Sequence, residues 1–404
     1  MGNVLFLAHR MPYPPNKGDK VRSYHLLRHL QQHHRVFLGT FIDTHDDDEH
    51  LPALKELCPD LHVERINPKV SKYLSLTGLI RREALTIAFY RNAGMRSWVQ
   101  RTQAKHGFQA SLVFTSAMAQ YAEPLLAQTP MVVDFVDVDS VKWRDYAPAH
   151  RWPISWIYQR EANQLFSAEK AIARLARRSF FVTPGESALF RSLAPEASES
   201  VETLSNGVDA EYFSSKPDRL NPFLEEEKAI VFVGAMDYWP NVDGVKWFAS
   251  TVMPQVRARW PRACFHIVGR NPSKEVLALA SDSVRISGTV PDVRPYLQFA
   301  SAVVVPLRVA RGVQNKILEA MAMAQPVITV PACAEAIGAS EEQGVLEAST
   351  PPAFLASLNA LLENTDAAMA LGRAARAHVC RRFRWADHMK GLDAYFPHTT
   401  GARA

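Results

Sequence analysis

At 404 residues the chain is longer than one hydrophobic core usually organises, and its length predicts two or three domains. Forty-seven per cent apolar and 22% charged residues are the proportions of a soluble globular protein, and no run of about 18 uncharged apolar residues offers a membrane-spanning helix. Forty-six Lys and Arg against 41 Asp and Glu leave a net charge of +5, a mild excess that favours anionic partners such as nucleotides or a phospholipid surface and does not by itself indicate nucleic acid.

Residues 1–10 lack the charged and apolar regions of a secretory signal, and 4–8 read as a first buried strand. Cys58, Cys264, Cys333 and Cys380 have no CxxC spacing, which argues against a zinc site or disulfide scaffold and makes a reducing cytoplasm the expected location. The first strand runs into a loop with Pro12, Pro14, Pro15 and Gly18, then into the helical pattern Val21, Tyr24, Leu27, Leu30. Lys17, Lys20 and Arg22 make this loop a candidate phosphate cradle; a rigid turn is the alternative. After a strand at 36–41, the acidic run 43–50 is expected to be solvated loop and helix-start charge, because hard-metal loops need a Gly turn and spaced ligands that are absent here.

Between 69 and 105 eight Lys and Arg face one acid, Glu83, among Tyr73, Leu74, Ile80 and Trp98. Such a segment can lie on an anionic membrane or receive a lipid-linked acceptor, unless its apolar face is core. Strands follow at 112–115 and 131–136. Asp137 and Asp139, just past the second, match an Asp-x-Asp pattern but are expected to bond a hydroxyl or cap a turn, with no metal. Helix formers fill 143–178, a strand 180–183, and Asn206-Gly207 predicts a tight turn with positive φ. Pro, Ser, Asp and Glu between 213 and 228 read as a hinge and linker.

The alternation restarts at 230–233, ending in Gly234, and continues through 265–268 with Gly269, 284–287 with Gly288, 303–305 and 327–330. The expected fold is α/β, two doubly wound Rossmann-like domains facing a cleft. The expected boundaries are 1–205 for an N-terminal acceptor-binding domain and 206–375 for a C-terminal donor-binding domain. A C-terminal helix over 376–395 would pack back on the first domain, and 396–404 would be a flexible tail.

The most informative stretch is 306–330. Arg311, Gly312, Val313 and Gln314 form a loop before a helix whose apolar stripe is Ile317, Leu318, Met321 and Ala322. The helix N-terminus with Gly312 offers an anion site, Lys316 adds positive charge, and the Glu319 carboxylate can accept two hydroxyl hydrogen bonds. A phosphate beside a diol describes a nucleotide sugar.

The ordered set of these motifs resembles the family 4 glycosyltransferases of two-domain GT-B fold. MDYWPNVDGVKWF, PLR followed by Gly and KILEAMA, and DFVDVDS with Lys142-Trp143 resemble the sugar transferases of exosortase-associated exopolysaccharide systems. The resemblance implies metal-free, retaining transfer of a sugar from a nucleoside-diphosphate donor, with no cofactor, to a lipid-linked or polysaccharide acceptor. It places Glu319 on the ribose diol, Lys316 and Arg308 on the diphosphate, and the amides from Gly312 through Val313 and Gln314 to Asn315 by the donor sugar. Val290 to Val293 would line the base, and Gly18 would let the first loop close over the phosphates. Asp137 is the candidate for contacting the reacting sugar, and Gly234 belongs to the donor loop.

The departures are specific. Arg311 stands where the family carries Glu; Ala235, Met236 and Asp237 replace an Arg and Lys pair; Val136 replaces a His, and Gln325 a Gly. Arg308 and Arg311 would restore the lost positive charge. A nucleotide-sugar-binding protein without turnover and a GT-B type epimerase are the alternatives. The expected location is the cytoplasm, peripheral at the inner face of the cytoplasmic membrane.

Overall fold

The computed structural model describes residues 2–396 apart from Lys17, His45, Ala310 and Arg311, and without the side chains of Asp46 and Ala149. The chain divides into two compact units, Met1–Ser205 with Met389–Ala404, and Asn206–His388.

The first unit is built on seven strands: β1 (Gly2–Ala8), β2 (His34–Ile42), β3 (Leu61–Arg65), β4 (Ala110–Phe114), β5 (Met131–Val136), β6 (Arg178–Phe181) and β7 (Val201–Thr203). They pair in the order β3-β2-β1-β4-β5-β6-β7, every pair parallel. A parallel sheet carries crossover helices on both faces, so its central strands are continuous apolar runs. Leu5, Leu7, Val113, Val133 and Phe135 accordingly sit in one buried cluster with Met95 and Phe190 from the covering helices.

The second unit repeats the plan. Its strands β8 (Lys228–Val233), β9 (Ala263–Val268), β10 (Val284–Gly288), β11 (Ala302–Val305), β12 (Val327–Thr329) and β13 (Val345–Glu347) pair in the order β10-β9-β8-β11-β12-β13. Helix Asn315–Ala322 buries Ile317, Leu318, Ala320, Met321 and Ala322 in the core, while Lys316 and Glu319 keep to the other side. In each sheet the order reverses beside the first strand, between β1 and β4 and between β8 and β11. Ligands in doubly wound folds bind at the carboxyl ends of strands at such a reversal.

Several local expectations are overturned. Asn206-Gly207 is not a tight turn: Gly207 has no positive φ, Val208 bridges to Arg384, and a Cβ on Gly207 would stand 2.7 Å from the Trp385 nitrogen. Close backbone packing, not turn geometry, asks for glycine there. Residues 213–228 are not a free hinge. Arg376 donates to the carbonyls of Ala210 (3.0 Å) and Phe213 (2.9 Å), and Gln298 takes the Lys216 amide at 3.0 Å. No single helix spans 376–395; helix Thr365–Arg382 ends at Phe383, which is buried, and a short helix Trp385–Met389 follows. The tail residues 397–404 lie outside the described residues.

The acidic run is not simply solvated. Asp47 is buried with Lys20 at 2.5 Å, and Asp43 accepts from Arg10 at 3.0 Å. Lys20 therefore cannot serve a phosphate, and neither can Arg22, which is fully buried against Asp134 at 2.7 and 3.1 Å. Two of the three cations assigned to the first loop hold helix Gly18–Leu30 onto the fold instead. The third, Lys17, lies outside the described residues.

Candidate active site

At the carboxyl ends of β8 and β9 the backbone is packed so closely that side chains are excluded. The Gly234 amide donates to the Val268 carbonyl (2.9 Å) and the Gly269 amide to Gly288 (3.0 Å). A Cβ on Gly269 would lie 1.7 Å from the Gly234 carbonyl oxygen, and Gly269 has φ +153° and Gly288 φ +64°. A Cβ on Gly234 would meet Asn241 Nδ2 at 2.9 Å and Lys316 Nζ at 3.0 Å. The glycine in the first donor-side loop thus makes room for the lysine on helix Asn315–Ala322.

Lys316 is held from two sides. Its ammonium donates to Asn241 Oδ1 at 2.6 Å and lies 4.5 Å from the centre of the Phe232 ring. Asn241 in turn donates to the Ala235 carbonyl at 2.8 Å, which fixes the amide so that its oxygen faces the lysine. Burial lowers the Lys316 pKa to about 8, against the opposing charges of Cys333 and Glu319. Glu319, one turn on, is pushed up to about 7 by burial, with the Lys316 charge pulling the other way. Two groups of opposite sign, both close to their titration points at neutral pH, share one helix end.

The helix begins after Gln314 in extended backbone with no side-chain cap, and Gly312 precedes it at φ +67°. Asn315 Oδ1 accepts from Asn206 Nδ2 at 2.9 Å. Arg308, two residues past Pro306 at the end of β11, forms a forked pair with Asp243, Nε to Oδ2 at 2.9 Å, and remains half exposed. Gly234, Arg308, Asn315, Lys316 and Glu319 are thus gathered around the switch point of the second sheet. Val290 and Val293 lean on the apolar face made by Ala229, Val231 and Val268, beside Tyr296. Arg311 lies outside the described residues, and Val313 packs partly against the core.

Gly18 and Asp137 belong to the first unit. Helix Gly18–Leu30 starts at Gly18. Asp137 follows β5 and takes the Lys142 ammonium at 2.6 Å on Oδ2, while Asp139 takes it at 3.1 Å. The Asp-x-Asp pair is therefore organised around a lysine. Val136 and Thr115, at the ends of β5 and β4, have φ +70° and +73°, outlying values for β-branched residues. At this same edge, buried atoms of His9 (Nδ1), Asp43 (Oδ1), Thr115 (Oγ1) and Asp137 (Oδ1) have no hydrogen-bond partner among the described residues. His9 Nε2 faces Asp19 at 3.6 Å, and its ring stacks on Phe114. Burial works against the Asp19 charge, but hydrogen bonding and charge from His9 and Arg10 hold this carboxyl well below the usual carboxylate range.

Sequence reasoning did not assign His9, Asp19, Asn206 or Asn241 a role. The only signal they carry is position: His9 and Asn206 stand just beyond a strand, and Asp19 and Asn241 in the first turn of the helix that follows one. A further group, Glu227, Cys264 and His266, has ligand-type atoms within 4.8 Å of one another. His266 Nε2 is 2.6 Å from Glu227, and the Arg285 guanidinium at 3.3 Å already supplies that carboxylate with positive charge.

Residues 227–364 match the family described as glycosyl transferases group 1. The whole chain is similar to solved structures that include sucrose-phosphate synthase from Thermosynechococcus elongatus, with 18% identity over 98% of both chains and a TM-score of 0.74. HepE of Anabaena in complex with UDP aligns at 14% identity over 98% of this chain and 99% of that one, TM-score 0.68. The lipopolysaccharide glycosyltransferase WaaG aligns at 17% over 98% and 100%, TM-score 0.66. No curated protein sequence matches the chain. Together these findings show a chain of GT-B fold whose residues 227–364 match the group 1 glycosyl transferase family.

Proposed function

We propose that the protein moves a sugar, with retention, from a nucleoside-diphosphate sugar to a lipid-linked or polysaccharide acceptor. The pathway would be exopolysaccharide or cell-surface glycan synthesis, and the enzyme a family 4 member of the exosortase-associated kind. The acceptor is met at the inner face of the cytoplasmic membrane. The observation that carries the donor half is the glycine-cleared switch point of the second sheet, where Lys316 and Glu319 stand at one helix end. HepE, a structural neighbour, has been solved with UDP and with UDP-glucose, which supports a nucleotide-sugar donor here.

In this reading Glu319 accepts the ribose hydroxyls. Lys316 and Arg308 face the diphosphate, with Arg311 in place of the family's Glu, and the amides of Gly312 to Asn315 face the donor sugar. Val290 and Val293 border the base, Gly18 lets the first loop approach the phosphates, and Asp137 contacts the reacting sugar. As the glycosidic bond breaks, negative charge grows on the leaving diphosphate oxygen. Fixed N–H groups and cations stabilise that charge more than they stabilise the bound donor, which accelerates transfer without a metal. Losing one such partner typically costs on the order of 10² to 10³ in rate.

The test is release of nucleoside diphosphate from a panel of nucleotide sugars, with and without a membrane extract. Transfer predicts release that needs the extract and that Glu319→Gln suppresses. Interconversion of sugars with the nucleotide intact would replace transfer by epimerisation, and saturable binding without product would leave a binding protein.

A further inference from the structure

Half of the large apolar side chains exposed on the described residues lie in two short stretches of the first unit. One is 68–82, where helix Pro68–Ser75 and helix Thr77–Arg81 bury only Ser75 and Gly78. Their apolar side chains face outward: Val70 is 52% exposed, Tyr73 76%, Leu74 61%, Leu76 44% and Ile80 88%. The other is 152–156 at the start of helix Ile154–Leu175, with Trp152 at 80%, Ile154 at 41% and Trp156 at 55%. The remaining exposed apolar residues, such as Leu175, Leu277 and Met369, are scattered along the chain. Single exposed apolar residues need no explanation, but a concentrated set does.

The two stretches are joined. Arg160 donates to the Gly78 carbonyl at 2.8 Å and the Glu83 carbonyl at 3.2 Å, and Glu161 accepts from the amides of Leu85 (2.7 Å) and Thr86 (2.9 Å). Trp156 is one helical turn before Arg160 on the same helix face, so it stands beside the segment that Arg160 holds. The expectation that 69–105 is one amphipathic segment is narrowed here: Ala84, Ala88, Tyr90, Met95 and Val99 are buried, and among the described residues of this stretch only 68–82 exposes large apolar side chains.

The charge around these side chains has one sign. No Asp or Glu occurs between Ile66 and Arg82 or between Tyr146 and Arg160, whereas Lys69, Lys72, Arg81, Arg82 and Arg151 do. A protein partner would select against lysine at its contact, while Lys and Arg flanking Tyr, Trp and Ile is the composition that seats a helix in the headgroup region of an anionic bilayer.

We propose that residues 68–82 and 151–156 form one docking face for an anionic phospholipid surface. It deepens, and rests on, the reading of a membrane-borne acceptor. Asn67 caps the first helix through the amides of Lys69 and Val70, so the face is already helical before contact.

The full chain is floated with vesicles of phosphatidylcholine carrying about 30% phosphatidylglycerol, and with phosphatidylcholine alone. Wild type should rise with the anionic vesicles and not with the neutral ones. Tyr73→Ser with Ile80→Ser, and separately Trp152→Ser with Trp156→Ser, should each lower the bound fraction at least about tenfold with thermal unfolding unchanged. No flotation of wild type, or flotation undiminished in both variants, overturns the proposal. So does loss of self-association in the variants with vesicle binding intact, which would mark a protein contact. Release of nucleoside diphosphate from the panel of nucleotide sugars with membrane extract, measured alongside, keeps the two readings apart: turnover without flotation removes the docking face alone, and flotation without turnover removes sugar transfer alone.

Discussion

Lys316 and Glu319 are three residues apart on one helix, and their burial moves their pKa values toward each other, to about 8 and about 7. In the proposed reading the lysine serves a diphosphate when protonated, and the glutamate a ribose diol when ionised. The sign of each shift then sets a pH profile. The rate constant for free enzyme and donor should rise as pH passes about 7, when Glu319 loses its proton, and fall past about 8, when Lys316 loses its own. Because the groups interact, the two limbs belong to the pair. Glu319→Gln should remove the acidic limb and leave the alkaline one; an acidic limb unchanged in that variant would detach Glu319 from the donor. These two residues were legible in the sequence because helix spacing alone puts them on one side. Lys20 and Arg22 were not, since the carboxylates that bury them are 27 and 112 positions away in the chain.

At the scale of elements, the buried Arg22–Asp134 pair ties helix Gly18–Leu30 to β5, the strand that leads to Asp137. Removing one member leaves the other charged, buried and unpaired, so Arg22→Met should cost about 3–5 kcal/mol of stability, read as a lowered Tm or denaturation midpoint. Arg22→Met combined with Asp134→Leu should recover most of that loss. A single variant as stable as wild type would show that the pair holds nothing. The strands that sequence reading overlooked, β3, β7 and β13, are all sheet edges. They are five, three and three residues long and only partly buried, so they lack the continuous apolar run that betrays a strand covered on both faces. The central strands were legible for the opposite reason. The Asn206-Gly207 step was misread because glycine answers equally to a turn and to a near backbone, and only the fold brings Trp385 beside it.

For the whole molecule, the strand orders place each sheet's reversal at loops that carry polar side chains: His9 and Thr115 in the first unit, Asp237 and Arg308 in the second. Alternating strand and helix made the doubled fold readable in the sequence, but which edge carries which ligand depends on side chains from distant strands. The central claim is that the nucleotide sugar binds at the second of these edges. Hydrogen exchange of the full chain, alone and with each of a panel of nucleotide sugars, is the measurement that bears on it. Slowed exchange is expected at the amides of 234–241, 288–293 and 312–319, with that protection lost in Glu319→Gln. Protection confined to 9–22 and 134–142, or found nowhere, would contradict it.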